Sequence, residues 1–219
     1  EIFVIDGSRL DKIAHRLKIL RNVRSVVLPG NVLALYDLFR GCPRRLLFDA
    51  DAASAEIPRA RKLLEHIPEG TLLLGDRGFA SVVLFSELDE RHLYGVLRLT
   101  KTLSFTRVGP ASPRRKHDGG VLEDEFIDLG SGKTATPQTV RLIRYRSGSF
   151  SIKLLTNVLD PEKLPADTIV RLYRARWTIE RMYFDLKSVL GLHDFYAANP
   201  NAVAMQVYAS AIVYAAMRA

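Results

Sequence analysis

The chain has 219 residues, of which 47% are hydrophobic and 26% charged; this excludes a disordered polymer and suits one large domain or a domain with an insertion. Lysine and arginine total 32 against 24 acids, a formal net charge of +8 with pI near 9.7, which is the electrostatic footprint expected of a nucleic-acid binder and equally that of a basic protein with no such partner. The single cysteine, Cys42, excludes an internal disulfide and fits a reducing cytosol, and the five histidines are too scattered for a zinc site.

"EIFVID" is a short apolar run ending in an acid and a "GS" turn, which predicts a buried strand with Asp6 at its end. "RLDKIAHRLKIL" has the spacing of a basic amphipathic helix. "NVLALYDLF" and "RRLLFDA" flank the turn signal "RGCP" and predict a strand hairpin. "SAEIPRARKLLEHI" reads as a helix opened by Ser54 with Pro58 near its start. A buried strand in "EGTLLLGDRGFAS" ends at Asp76, followed by a helix in "SVVLFSELDER" and a strand in "HLYGVLRL".

From residue 100 to 165 the pattern changes to β-type runs around a Gly-, Pro- and cation-rich loop, "VGPASPRRKHDGG". One long helix is then expected from about 168 to 190, capped by Asp167 or Thr168 and stopped at Gly191. The run from 199 to 217 is interrupted by Asn201 and Gln206 and is shorter than the roughly 20 residues of a membrane helix, so it predicts a buried core helix and no membrane partner. The order implies a mixed α/β core in three parts: 1–99 as the first part, 100–165 as a β-rich insertion, and 166–219 as C-terminal helices completing the core. Beginning at Glu1 inside an apolar run, the chain reads as a domain cut from a longer protein.

Asp6 and Asp76 each close a buried strand ahead of a glycine-containing turn. Carboxylates at neighbouring strand ends can converge on a hard cation, although either acid taken alone more readily caps its own turn. Asp49 and Asp51 are weaker rivals, placed ahead of a helix start where negative charge is favourable anyway. Asp11 and Asp37 read as solvated or turn residues.

Further along, "YRARWTIERMYFDLK" places Tyr173, Arg176, Glu180 and Lys187 within a sector of about 60° on a single helix turning roughly 100° per residue. Trp177 and Phe184 lie beside that stripe, while Leu172, Ile179, Met182, Leu186 and Leu190 form the apolar face. An ion pair of Arg176 with Glu180 would account for two of the residues, at a few tenths of a kcal/mol. An active-site edge would account for all of them.

The spacing Tyr173-x2-Arg176-x3-Glu180-x6-Lys187 resembles the Tyr-Arg-Glu-Lys signature of bacterial DDE transposases of the insertion-sequence-four type, and "IDGS" and "GDRGF" resemble the motifs around that family's first two catalytic aspartates. The resemblance implies an RNase H-like fold, a mixed sheet flanked by helices with a β-rich insertion before the last catalytic helix. It implies that Asp6, Asp76 and Glu180 are catalytic and bind two divalent ions, normally magnesium with manganese possible. Tyr173, Arg176, Trp177 and Lys187 would contact double-stranded DNA at transposon ends. Target DNA and a second copy, in a homodimeric synaptic complex, are the other implied partners, in the cytoplasm of a prokaryote at the nucleoid. A DNA-binding copy that no longer cuts, or another RNase H-like nuclease, is the alternative.

Overall fold

The computed structural model describes residues 1–10, 30–51, 54–110, 113–130, 137–192 and 199–218. In chain order the strands are β1 (Ile2–Arg9), β2 (Asn31–Asp37), β3 (Cys42–Asp49), β4 (Leu72–Gly75), β5 (Tyr94–Arg98), β6 (Phe105–Val108), β7 (Arg115–His117), β8 (Gly120–Leu129), β9 (Gln138–Ser147) and β10 (Phe150–Thr156). The helices are α1 (Glu56–Leu64), α2 (Val82–Glu90), α3 (Ala166–Ala175), α4 (Trp177–Phe184) and α5 (Pro200–Ala216). A 3-10 turn spans Arg77–Phe79, and a π-helical turn spans Asp185–Val189. The helix expected at "RLDKIAHRLKIL" lies, beyond Leu10, outside the described residues. The chain divides into two units, one of Glu1–Ile2 and Leu64–Arg176, the other of Phe3–Leu63 and Trp177–Ala219.

In the unit that begins at Phe3, β1, β2 and β3 form an antiparallel meander. All seven residues of β2 are buried, as expected of a central strand that pairs on both edges. The hairpin predicted at "RGCP" turns at residues 38–41, where the Asp37 carboxylate accepts from the N–H groups of Phe39 and Arg40, both at 3.0 Å. Asp37 is therefore a turn residue as expected, although buried rather than solvated. β1 does not stop at Asp6: Gly7, Ser8 and Arg9 stay paired with Leu33, Val32 and Asn31, so Asp6 lies inside the strand. The "GS" pair gives no turn because the backbone groups there are committed to the ladder with β2.

α1 starts at Glu56, two residues after Ser54, whose hydroxyl instead accepts from Arg59 at 3.3 Å. The buried Arg59 also donates to the carbonyls of Leu47 (2.9 Å) and Asn31 (3.4 Å), which pins α1 to β2 and β3. α5 is capped by Asn199, which accepts from the Ala202 N–H at 2.9 Å, with Pro200 at the first helical position. It buries one face only: Val203, Val207, Ala211 and Tyr214 are inside, while Met205 and Ile212 are 73% and 69% exposed. The expected helix is therefore present and buries one face, while its other face is exposed. Among the described residues no helix is long and apolar enough to cross a membrane.

In the other unit β4 and β5 run parallel, joined through α2, and β10 adds to β5 antiparallel. The sheet continues through β9 and β8 to β6, with β7 also on β8. The strands predicted across 100–165 thus extend the β4–β5 pair through β10. An antiparallel meander, a parallel strand–helix–strand pair and the later helices make this a mixed α/β protein consistent with an RNase H-like fold.

Arg141 organises the far end of this sheet. Its side chain is fully buried, and its guanidinium donates to both carboxylate oxygens of Asp124 and to the carbonyls of Val158, Asp160 and Leu164. That cradle fixes the segment leading into α3. α3 begins at Ala166 behind Pro165 with no side-chain cap; Asp167 sits in the first turn and pairs with Arg171 at 3.3 Å. The predicted cap at Asp167 or Thr168 is therefore not used, because proline fixes the entry two to three residues earlier. The single helix expected over 168–190 is also segmented. It breaks at Arg176, whose N–H bonds back to the Tyr173 carbonyl, and becomes π-helical after Phe184. It does stop at Gly191, which adopts φ +71° while the Leu192 N–H bonds back to the Leu186 carbonyl.

Candidate active site

β4 is four buried residues, Leu72 to Gly75, and Asp76 is the first residue beyond it. An ionisable group cannot continue that buried run, and the chain turns here into the 3-10 segment, where the Phe79 N–H bonds to the Asp76 carbonyl and the Phe79 ring enters the core. Ser81 then caps α2, accepting from the Leu84 N–H at 3.1 Å. The Asp76 carboxylate is left at the surface of the unit with its side chain 38% exposed.

Two side chains meet it. The Tyr173 hydroxyl donates to Asp76 Oδ1 at 3.3 Å, and Arg98 Nη1 lies 4.0 Å from the same oxygen. Arg98 ends β5, whose parallel register sets Leu97 beside Gly75 and thereby brings Arg98 level with Asp76. Tyr173 is buried, and burial pushes its phenol far above the ordinary value, so it remains an O–H donor. The guanidinium of Arg176, itself 4% exposed, stands 5.7 Å from the centre of the Tyr173 ring. Tyr173 and Arg176 therefore belong to the interior rather than to a boundary stripe.

The later half of the signature serves the first aspartate's strand. The Tyr183 hydroxyl donates to the Asp6 carbonyl at 2.7 Å, and Lys187 Nζ donates to Ser8 Oγ at 2.6 Å and to the Arg9 carbonyl at 2.9 Å. Burial, with the Asp6 and Glu56 carboxylates nearby, raises the Tyr183 pKa. The Asp6 carboxylate accepts from the Gly7 N–H at 2.9 Å, and the Glu56 carboxylate occupies the space that a side chain at Gly7 would need. Lys187 lies in the π-helical turn, where the Leu190 N–H reaches the Asp185 carbonyl and the regular helical phase is lost. Glu180 is half-buried on α4, and Trp177 opens that helix with its side chain 65% exposed.

Tyr173 is thus brought to Asp76, and Lys187 to the residues just after Asp6. Asp6 and Glu180 belong to one unit and Asp76 to the other. Among the described residues no three His, Cys, Asp or Glu side chains already form a metal-holding group. The donor chemistry nonetheless suits a hard cation, since all three predicted ligands are carboxylates. Asp49 is accounted for otherwise. Its carboxylate accepts from the Asp51 N–H at 2.9 Å, which with Arg59 at 3.8 Å holds its pKa below the ordinary range. Sequence reasoning missed Arg98, Ser8, Glu56 and Tyr183. Arg98 could have been found as the last residue of a strand parallel to the one before Asp76; Ser8 and Tyr183 lie inside the "IDGS" and "YRARWTIERMYFDLK" stretches, and Glu56 carries no sequence signal.

The family described as "Transposase DDE domain" matches residues 27–216, a span that includes Asp76 and Glu180 and begins after Asp6. The chain is 30% identical over 189 residues to "Putative transposase y4zB" of Sinorhizobium fredii, covering 84% of this chain and 51% of that protein. It is 26% identical over 156 residues to "Putative transposase for insertion sequence element IS4SA" of Synechocystis, covering 69% and 41%. A third relative, "Probable transposase for insertion sequence element IS5377" of Geobacillus stearothermophilus, is 22% identical over 148 residues, covering 67% and 38%. The chain spans about half or less of the length of these relatives. With Asp76, Tyr173 and Glu180 inside the matched span, the chain belongs to the transposase DDE-domain family.

Proposed function

We propose that this chain is the catalytic domain of an insertion-sequence transposase of the insertion-sequence-four type. Its chemistry is metal-dependent DNA strand cleavage and strand transfer at transposon ends. The observation that carries this reading is the Tyr173–Asp76 hydrogen bond, which joins the signature helix to the second aspartate motif across 97 residues of sequence. The Lys187–Ser8 bond is its counterpart at the first motif.

Asp6, Asp76 and Glu180 would hold the divalent ions, magnesium or, as a substitute, manganese. Such ions, when bound, supply an activated oxygen nucleophile and stabilise the leaving oxygen at phosphorus. The chain's own residues prepare that site. Tyr173 donates to Asp76 and restrains its carboxylate; the neutral phenol adds no charge. Arg98 supplies positive charge beside Asp76, and Arg176 stands over Tyr173, charges suited to a DNA phosphate that approaches this carboxylate. Lys187 adds positive charge beside Ser8 and Arg9 on β1, and the exposed Trp177 offers an aromatic surface to a base or sugar. The DNA partners are the element's own ends and the target duplex, in a complex of two copies at the prokaryotic nucleoid.

The test is cleavage of duplexes bearing the element's own ends by the full-length protein in magnesium. Asp6→Asn, Asp76→Asn and Glu180→Gln should each abolish cleavage and leave end binding in place. Wild-type cleavage by any one of them removes that residue from the site.

A further inference from the structure

Glu56, in the first turn of α1, is an acid at an inward-facing position. It precedes Arg59 and Ala60 by three and four residues, and these precede Leu63 and Leu64; all four are buried, so Glu56 heads the inward stripe of the helix. Negative charge in a first helical turn is favourable in itself, but that gain asks for no inward direction. Glu56 is half-buried, and its Oε1 stands 2.3 Å from where a β-carbon on Gly7 would lie. Glycine at position 7 thus leaves the gap that the carboxylate fills, while the Gly7 N–H donates to the Asp6 carboxylate at 2.9 Å. With backbone dimensions fixed, these two contacts put the Glu56 and Asp6 oxygens within about 8 Å of one another. Both carboxylates also act on the buried Tyr183 phenol, whose hydroxyl donates to the Asp6 carbonyl. Arg59 does not neutralise them: it is committed to Ser54, Asn31, Leu47 and Asp49, and among the described residues no cation pairs with Glu56. Two like charges held this close at a half-buried position repel with little solvent to screen them.

We propose that Glu56 is a further carboxylate ligand of the divalent-ion site, binding on the Asp6 side, with Gly7 as the gap that admits it. This rests on the reading of Asp6 as a metal ligand. Oxygens as much as about 8 Å apart can each hold one of two ions about 4 Å apart, at ion–oxygen distances near about 2.1 Å, and closer oxygens can share one ion. A bound cation removes the repulsion between the two acids, which the described side chains do not. With Asp6, Asp76 and Glu180, Glu56 makes the carboxylate charge equal to that of two divalent ions. Ions are then held by the protein before any phosphate arrives, and loading does not depend on DNA. The glycine of "IDGS" acquires a reason in the same geometry: any side chain there would push the Glu56 carboxylate away from β1.

The experiment measures Mn2+ uptake by the chain without DNA, from the loss of the free-ion electron paramagnetic resonance signal. Glu56→Gln keeps the size of the side chain and should weaken uptake at least about tenfold, as should Asp6→Asn. Gly7→Ala puts a methyl where the Glu56 carboxylate lies; it should weaken uptake in the wild-type background and add nothing in Glu56→Gln. Thermal unfolding without metal checks that each variant folds, and Mn2+ should raise the melting temperature of wild type more than that of Glu56→Gln. An acid serving only the helix start would lower the metal-free melting temperature and leave Mn2+ affinity unchanged. Wild-type affinity in Glu56→Gln, with Asp6→Asn impaired, overturns the role of Glu56 and leaves the Asp6 reading standing. Wild-type affinity in Asp6→Asn, or no uptake by the wild type, overturns that reading and this inference with it. Should Glu56→Gln not fold, Gly7→Ala decides, and unchanged Mn2+ affinity there overturns the proposal.

Discussion

Replacing Arg141 with methionine tests how the fold delivers Tyr173 to Asp76. Methionine keeps much of the apolar stem but removes every donor. The Asp124 carboxylate loses both of its bonds, and the carbonyls of Val158 (3.0 Å) and Leu164 (2.9 Å) lose their buried donor. Each unsatisfied buried carbonyl costs about 1–3 kcal/mol, and removing one member of a buried ion pair costs about 3–5 kcal/mol. Asp124 is 26% exposed at its side chain, so water recovers part of its share. Taking about 1 kcal/mol for each of the two carbonyls and about 1 kcal/mol for the partly solvated pair gives about 3 kcal/mol. Hydrogen exchange reads this locally: amide protection in α3 around Ile169–Tyr173 should fall by roughly two orders of magnitude, since 1.4 kcal/mol is a factor of ten. Arg141→Lys, which retains the charge but not the fork, should fall between wild type and Arg141→Met. A loss below about 1 kcal/mol in α3, with Arg141→Met folded, would refute the claim that this cradle fixes the start of the helix.

Lys187→Ala should lower the salt slope of end binding by about one, whereas Lys187→Arg should keep it; an unchanged slope in Lys187→Ala would remove this residue from the phosphate contacts. Asp49 gives a pH prediction. Its folded pKa is depressed, chiefly by the Asp51 N–H, so its contribution to stability is present above the unfolded carboxylate value and disappears as pH falls through the folded one. Urea unfolding between pH 6 and 2.5 should therefore show a smaller acid loss in Asp49→Asn than in wild type. Identical acid limbs would show that Asp49 is not held in this way.

Local signals in the sequence were strong where one interaction decides the outcome. The apolar run before Asp76, the Asp37 turn and the Gly191 stop follow from burial, an Asx turn and a left-handed backbone, all of which are local. The continuation of β1 past Asp6 was not legible, because pairing with β2 overrides the turn tendency of Gly7 and Ser8. The stripe from Tyr173 to Lys187 was legible in the sequence, but the geometric argument for it was incomplete. A regular helix puts all four on one line, but the break at Arg176 and the π-helical turn at Lys187 depend on contacts remote in sequence. Arg98 and Tyr183 meet the aspartate motifs only through the tertiary fold, and Arg141 gives no hint in sequence that its guanidinium is fully enclosed.

The central claim is that Asp76 is a metal ligand and not merely a turn residue bonded by Tyr173. Asp76→Cys in the full-length protein tests it most directly, because a thiolate disfavours magnesium and accepts manganese. On duplexes bearing the element's ends, the account predicts no cleavage in magnesium and at least tenfold recovery in manganese, with end binding retained in both. Wild-type cleavage in magnesium, or no manganese recovery while end binding is intact, would contradict it.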